Sequence, residues 1–389
     1  MDDMKRATIK QWIESILHPA IGAKPRRRID QNENAFPTSQ QKRKRDSTEE
    51  SLTMPDFEPP KRLRPPDNDD ASTPPLRNDV SIPPSTATAS SRQRQRSSSP
   101  KRIKAGLKQA SPAIKYLPSV MDPENDAAKE LFSYLAHDDE PNPWQPGILE
   151  VAKLSEASSK CKVELRSEGS WVIQVAWPLL QLAVGELPLD CWSVQTETVD
   201  VRYQPKYTAR DTFNRKLDLV VGLPIEKWAR QYEAIAAVGI DGSAPSINQS
   251  MSHIDHPHTG DRLLGIGFEV KASDGNLDEA EVQLGVWMAG LVSWMWERRC
   301  GTPTPPPVIG CISIGDQLDF YIVYGVEGAN GELDRVCVWG PLSDLSGRLG
   351  SHKSTCALIK TMRRVMQYTS GRYVDLLVHC IAGHTYGSM

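Results

Sequence analysis

Beyond residue 112 the apolar residues fall into two rhythms, one of about 3.6 residues and one of two. The helical rhythm predicts helices over 122–135, where Ala127, Leu131, Tyr134 and Leu135 are in phase, and over 147–158. A longer helix is predicted over 168–183. There Trp171, Val175, Leu179 and Leu182 share a stripe, Glu168 lies one turn before Trp171, and Pro178 should bend the axis. Further helices are expected over 225–238, over 276–297 behind an Asn276-x-x-Glu279 capping box, over 353–368 and over 373–382. The alternating rhythm predicts strands over 192–203, 214–222, 265–271, 308–314, 320–326 and 336–339. The order helix, three strands, helix, strand is not the βαβα repeat of a doubly wound sheet. It predicts a mixed central sheet flanked by helices, of the α/β (α+β) class.

The first part of the chain follows neither rhythm, except for residues 4–18. These place Ile9, Trp12, Ile13, Ile16 and Leu17 on one side of a short amphipathic helix that Pro19 ends. Residues 19–112 are rich in Pro, Ser, Arg, Asp and Gln and poor in aromatics, so they should be disordered: such a segment cannot bury enough apolar surface to offset its chain entropy. Three regions are therefore expected: an N-terminal helix (1–18), a disordered basic region (19–112) and a folded domain (113–389).

Charge sharpens that division. The 389-residue chain has a formal net charge of −3. Residues 1–108 hold about 22 Lys and Arg against about 14 Asp and Glu, whereas the rest holds about 24 against about 35. A basic tail thus joins an acidic body. Four basic runs mark the tail: Arg26-Arg27-Arg28, Lys42-Arg43-Lys44-Arg45, Lys61-Arg62-x-Arg64 and Lys101-Arg102-x-Lys104. Runs of this kind are read by nuclear import receptors or by phosphates, and a nuclear protein is the expectation. Ser97-Ser98-Ser99-Pro100 would lose local positive charge on phosphorylation. All seven cysteines lie in the body, in odd number and without a CxxC pair, which argues for reduced thiols. The charged first ten residues lack the apolar stretch of a signal peptide, and no apolar run is long enough to span a bilayer. An intracellular protein with no membrane partner is expected.

The candidate chemistry sits on the predicted strand 265–271. Ile266, Phe268 and Val270 point one way, while Glu269 and Lys271 point together the other way. Glu-x-Lys alone is commonplace on exposed strands. Asp218 changes its weight, because it interrupts an apolar strand where an unpaired carboxylate is costly to bury. A pairing that sets Asp218 beside Glu269 brings two acids together, and a cation or a raised pKa must relieve their repulsion. Oxygen-only ligation points to Mg²⁺ or Mn²⁺. Lys271 would then hold or help deprotonate an attacking water. Gln283, on the following helix, is close enough in sequence to return to the same place.

In sum, Glu168-x-x-Trp171 leading to Pro178-Leu179-Leu180, Lys216-Leu217-Asp218, Phe268-Glu269-Val270-Lys271 and Glu279-Ala-Glu-Val-Gln283-Leu-Gly-Val-Trp287 resemble the PD-(D/E)XK nuclease superfamily. More narrowly, they resemble fungal nuclease-like domain proteins with a basic disordered N-terminal region. The resemblance spans about residues 113–389. It implies a restriction-endonuclease-like core (α-β-β-β-α-β) and a nuclease that hydrolyses nucleic-acid phosphodiester bonds, DNA more than RNA. It implies that Asp218, Glu269 and the Val270 carbonyl ligate the metal, that Lys271 orients water, and that Glu168 and Gln283 assist. The Pro usual before the first acid is Leu217 here, and some fifty residues separate the two acids.

Rival signals are weaker. His253, Asp255, His256, His258 and Asp261 have zinc-like spacing but read as a solvated loop. Trp287, Trp294 and Trp296 read as helix core rather than a base-stacking platform. The acidic body favours one alternative: a nuclease fold without catalysis, serving as a protein- or nucleic-acid-binding module.

Overall fold

The computed structural model describes residues 99–137, 144–207, 213–238, 250–301 and 303–383. The predicted helix at 1–18 and the first three basic runs lie outside these residues. Eight strands form one mixed sheet: β1 (Ala113–Leu117), β2 (Asp190–Ser193), β3 (Leu219–Leu223), β4 (Leu263–Lys271), β5 (Val308–Ile314), β6 (Gln317–Glu327), β7 (Leu333–Trp339) and β8 (Gly347–Arg348). Their order is β1-β7-β6-β5-β4-β3-β2, with β8 pairing β6. The β1–β7 and β4–β5 pairs are parallel and the others antiparallel. Helices flank this sheet, so the mixed α/β architecture read from the pattern is the one observed.

Strand β4 is buried along all nine residues. The helix that follows it, Leu277–Arg298, opens where Asn276 accepts from the Glu279 N–H and is buried around most of its circumference. A helix apolar on nearly every side belongs in a core, and Trp287 and Trp294 are fully enclosed there. The close approach depends on small residues. A Cβ on Gly267 of β4 would lie 2.6 Å from Met288 Sδ, and one on Gly310 of β5 would lie 2.8 Å from Leu284 Cδ2.

Residues 168–184 form the helix predicted around Pro178, but the chain accommodates the proline by widening rather than by a simple kink. Glu168–Trp171 and Trp177–Val184 are α-helical, and Val172–Ala176 between them is a π turn in which the Trp177 N–H donates to the Val172 carbonyl. Pro178 has no N–H for the carbonyl four residues back, and a π turn is a known way to absorb that defect.

Three expectations change. Residues 100–112 had been placed in the disordered tail, yet Pro100–Leu107 is a helix with Leu107 fully buried. Its Lys104 pairs with Asp278 and Glu281 on the helix after β4. The fourth basic run is thus partly engaged within the body. Next, the strand read over 192–203 ends at Ser193. Beyond it the chain is a loop whose described residues make two isolated bridges, Val199 to Ile254 and Lys206 to Ser111. Third, only Leu219–Leu223 of the strand read over 214–222 joins the ladder. Edge β1 had no counterpart in the sequence reading: its five residues become a strand by pairing with β7, 222 residues away from Ala113–Arg335 to Leu117–Trp339.

All seven cysteines are free thiols. Among the described residues, no helix is long and apolar enough to cross a membrane.

Candidate active site

The site forms where β3 begins and β4 ends. Leu219 pairs with Phe268 in the antiparallel ladder, so Asp218, one residue earlier, stands opposite Glu269. Asp218 Oδ2 accepts from the Val270 N–H at 2.8 Å, and Oδ1 accepts from Gln195 Nε2 at 2.6 Å. In a strand the N–H and C=O of one residue point to the same side. The Val270 carbonyl therefore faces the edge on which Asp218 lies.

Glu269 is 1% exposed and Lys271 7%. Lys271 Nζ lies 2.8 Å from Glu269 Oε1 and 3.3 Å from Glu168 Oε2. Glu168, at the start of its helix, is partly exposed, so it forms the solvent side of this triad. The Lys271 contact to Glu269 is an ion pair rather than an aligned hydrogen bond, and neither Glu269 oxygen receives an aligned donor. Burial and the neighbouring Asp218 push the Glu269 carboxyl well above its ordinary range, against the pull of Lys271. Burial opposes charge on Lys271, but Glu269 and Glu168 outweigh it and hold its pKa above the ordinary value.

The structure thus brings Asp218, Glu269, Val270, Lys271 and Glu168 together. Gln283 lies on the helix packed over β4; its Oε1 is buried and accepts no hydrogen bond. It makes no bond to the other five. Gln195 went unnoticed in the sequence because it stands in a segment read as strand, and nothing in its flanking residues marks it.

Does the donor set suit a cation? Asp218, Glu269 and the Val270 carbonyl are hard oxygen donors. Glu269 has lone pairs that no aligned donor fills, in a place where an unfilled carboxylate is costly. Among the described residues, no group of three or more His, Cys, Asp and Glu is placed to hold a metal. Two carboxylates and a carbonyl suit Mg²⁺, which keeps several waters and typically rests on one or two carboxylates.

The histidine-rich loop is divided. His253 is fully buried with its ring 4.1 Å from that of Trp287, and His256 Nδ1 lies 3.3 Å from Glu197 Oε1. Burial pushes the His253 pKa down to about 3.

A mixed sheet with two acids and a lysine on adjacent strand ends is the layout of a nuclease-like α/β domain. A family model of the PD-(D/E)XK nuclease superfamily matches residues 117–374, and the chain belongs to that superfamily. No curated protein matches it.

Proposed function

We propose that this protein is a Mg²⁺-dependent nuclease, with Mn²⁺ able to substitute, that hydrolyses phosphodiester bonds in nucleic acid, DNA more than RNA, with water as nucleophile. The observation that carries this reading is Glu269: a buried carboxylate without an aligned donor, facing Asp218 and flanked by Lys271. A divalent cation held by Asp218, Glu269 and the Val270 carbonyl would lower the pKa of a bound water and offset charge on the phosphate. Lys271 stays protonated at working pH because its pKa is held high. It therefore acts as a donor that orients water or a phosphate oxygen, and it is not the base that removes the proton. Glu168, on the solvent side and in contact with Lys271, is placed to accept that proton. Gln283 Oε1 offers a further acceptor for water.

The test is cleavage of plasmid DNA and of labelled single strands, DNA and RNA, by the purified full chain with Mg²⁺ or Mn²⁺. Cleavage that is lost with a chelator and in Lys271→Met supports the reading. No cleavage of any substrate with either cation, or undiminished cleavage by Lys271→Met, overturns it.

A second reading, a binding module without catalysis, has its own support. Both Asp218 oxygens already accept hydrogen bonds, and Glu269 already has Lys271 beside it. These contacts give each acid a partner without a cation. Nucleic-acid binding without hydrolysis would identify this case.

The basic runs at 26–28, 42–45 and 61–64 support a nuclear location through an import receptor. Deleting residues 20–98 should move the protein out of the nucleus; unchanged localisation overturns that assignment.

A further inference from the structure

Gln195, two residues past β2, is exposed, yet its amide reaches inward to Asp218. The two donors on Asp218, Gln195 Nε2 on Oδ1 and the Val270 N–H on Oδ2, fix the plane of the carboxylate. A carboxylate offers about four lone-pair sites, so each oxygen keeps one for a cation. Gln195 therefore orients the group without saturating it.

The loop has no strand of its own to hold it, and its anchors come from two sides. Toward the sheet, the Val194 N–H donates to the Asp218 carbonyl at 3.0 Å, and Lys216 Nζ donates to the Thr196 carbonyl at 3.1 Å. Toward the long segment between the two acids, the Asp255 N–H donates to the Thr198 carbonyl at 2.9 Å and the Asp200 N–H donates to the His253 carbonyl at 2.8 Å. Side chains reinforce that second side: Thr259 Oγ1 donates to buried Glu197, which also faces His256. Thr259 is 1% exposed and Glu197 8%, so this is an enclosed polar contact rather than a surface one.

We infer that Gln195 is a positioning residue that sets Asp218 for cation binding, and that residues 250–262 buttress the loop that presents it. Residues 250–262, the part of the long insertion next to β4, then support the site. This rests on the cation-dependent reading above.

The experiment is titration of the full-length protein with MnCl₂ by isothermal calorimetry, with Glu269→Gln as the site control. Gln195→Met keeps the length of the side chain and removes the donor. Partners of metal-ligating carboxylates typically contribute 10- to 100-fold to affinity, so the Mn²⁺ Kd should rise by about that factor. The Tm should stay within about 2 °C, because Gln195 is itself exposed and the loop's other anchors are untouched. Cleavage should recover to within a few-fold at saturating Mn²⁺, which separates weakened cation binding from a damaged site. Thr259→Val, outside the site, should raise the Kd in the same direction by a smaller factor. If wild type and Gln195→Met bind Mn²⁺ equally, Gln195 has no positioning role and the cation site stands without it. If Thr259→Val leaves the Kd unchanged, the buttress is overturned. If wild type itself takes up no Mn²⁺, the cation reading and this inference fall together.

Discussion

The Val270 N–H donates to Asp218 Oδ2 at 2.8 Å across 52 residues of sequence. One residue beyond the β3–β4 ladder, a side chain takes over as acceptor where the backbone pairing of β3 has not yet begun. Asp218 is therefore tied to the strand that carries its partner acid, and the same bond that ends the sheet places the carboxylate. Asp218→Asn keeps an acceptor for Val270 and should unfold in urea within about 1 kcal/mol of wild type. Asp218→Ala strands a buried N–H and should cost about 1–3 kcal/mol. Both should lose cleavage, so a stability difference between them at equal inactivity would separate the two roles of this residue.

Lys271 is the group on which charge balance at β4 turns. Lys271→Met should reduce cleavage by at least about 100-fold, the scale of losing one preorganised donor to developing charge. It also removes the cation beside a buried acid. Breaking a buried pair costs about 3–5 kcal/mol when the remaining charge cannot escape. Glu269 can escape by taking a proton, so the loss measured by chemical denaturation should be at the lower end in mild acid and grow as pH rises.

The raised pKa of Glu269 sets two pH dependences with opposite sign. Without cation, the folded state holds this proton more tightly than the unfolded chain. Its contribution to stability is full below the ordinary Glu pKa and is lost as pH rises through the elevated folded value. Glu269→Gln cannot titrate and should flatten that fall as pH rises above the ordinary Glu range. Cation binding runs the other way: a carboxyl must lose its proton to ligate. Mn²⁺ affinity should increase with pH over the same window, with proton release visible as a buffer-dependent heat. A pH-independent affinity would show that Glu269 is not a ligand.

His253 makes a separate prediction at acid pH. It is enclosed, its pKa is pushed down to about 3, and neither ring nitrogen has a hydrogen-bond partner among the described residues. Because the folded pKa lies below the unfolded one, stability is present above about pH 6.5 and declines as pH falls toward 3. His253→Phe keeps a ring against Trp287 and removes the titration. It should match or exceed wild type at pH 7 and lose less stability at pH 4.5, as read by thermal unfolding.

The boundary of the folded body can be tested by truncation. A chain starting at residue 99 retains the helix Pro100–Leu107, with Leu107 buried and Lys104 against Asp278 and Glu281. One starting at residue 109 loses them. The shorter chain should be less stable by several kcal/mol, since removal of a single buried Leu side chain costs about 2–5 kcal/mol. Equal Tm values for the two would place the boundary back at residue 112.

The chain by itself determined the long elements and the chemical types at their ends. The helix after β4 and strands β4 to β7 are legible because each buries a continuous apolar pattern over many residues, which local sequence records directly. The Glu-x-Lys alternation likewise put Glu269 and Lys271 on one face. Adjacency came from the three-dimensional fold alone. β1 is a strand because β7 accepts it, 222 residues away in register, and no local rhythm encodes a distant partner. The polar loop after β2 is shaped by hydrogen bonds to residues 250–262, so its strand-like alternation misled. Helix Pro100–Leu107 sits in a basic segment whose composition resembles a tail, and it folds because acids on another helix meet Lys104. Asp218, Gln195 and Val270 converge for the same reason. Their contact is a property of strand pairing and loop anchoring, and pairing energies lie between residues that the sequence lists far apart.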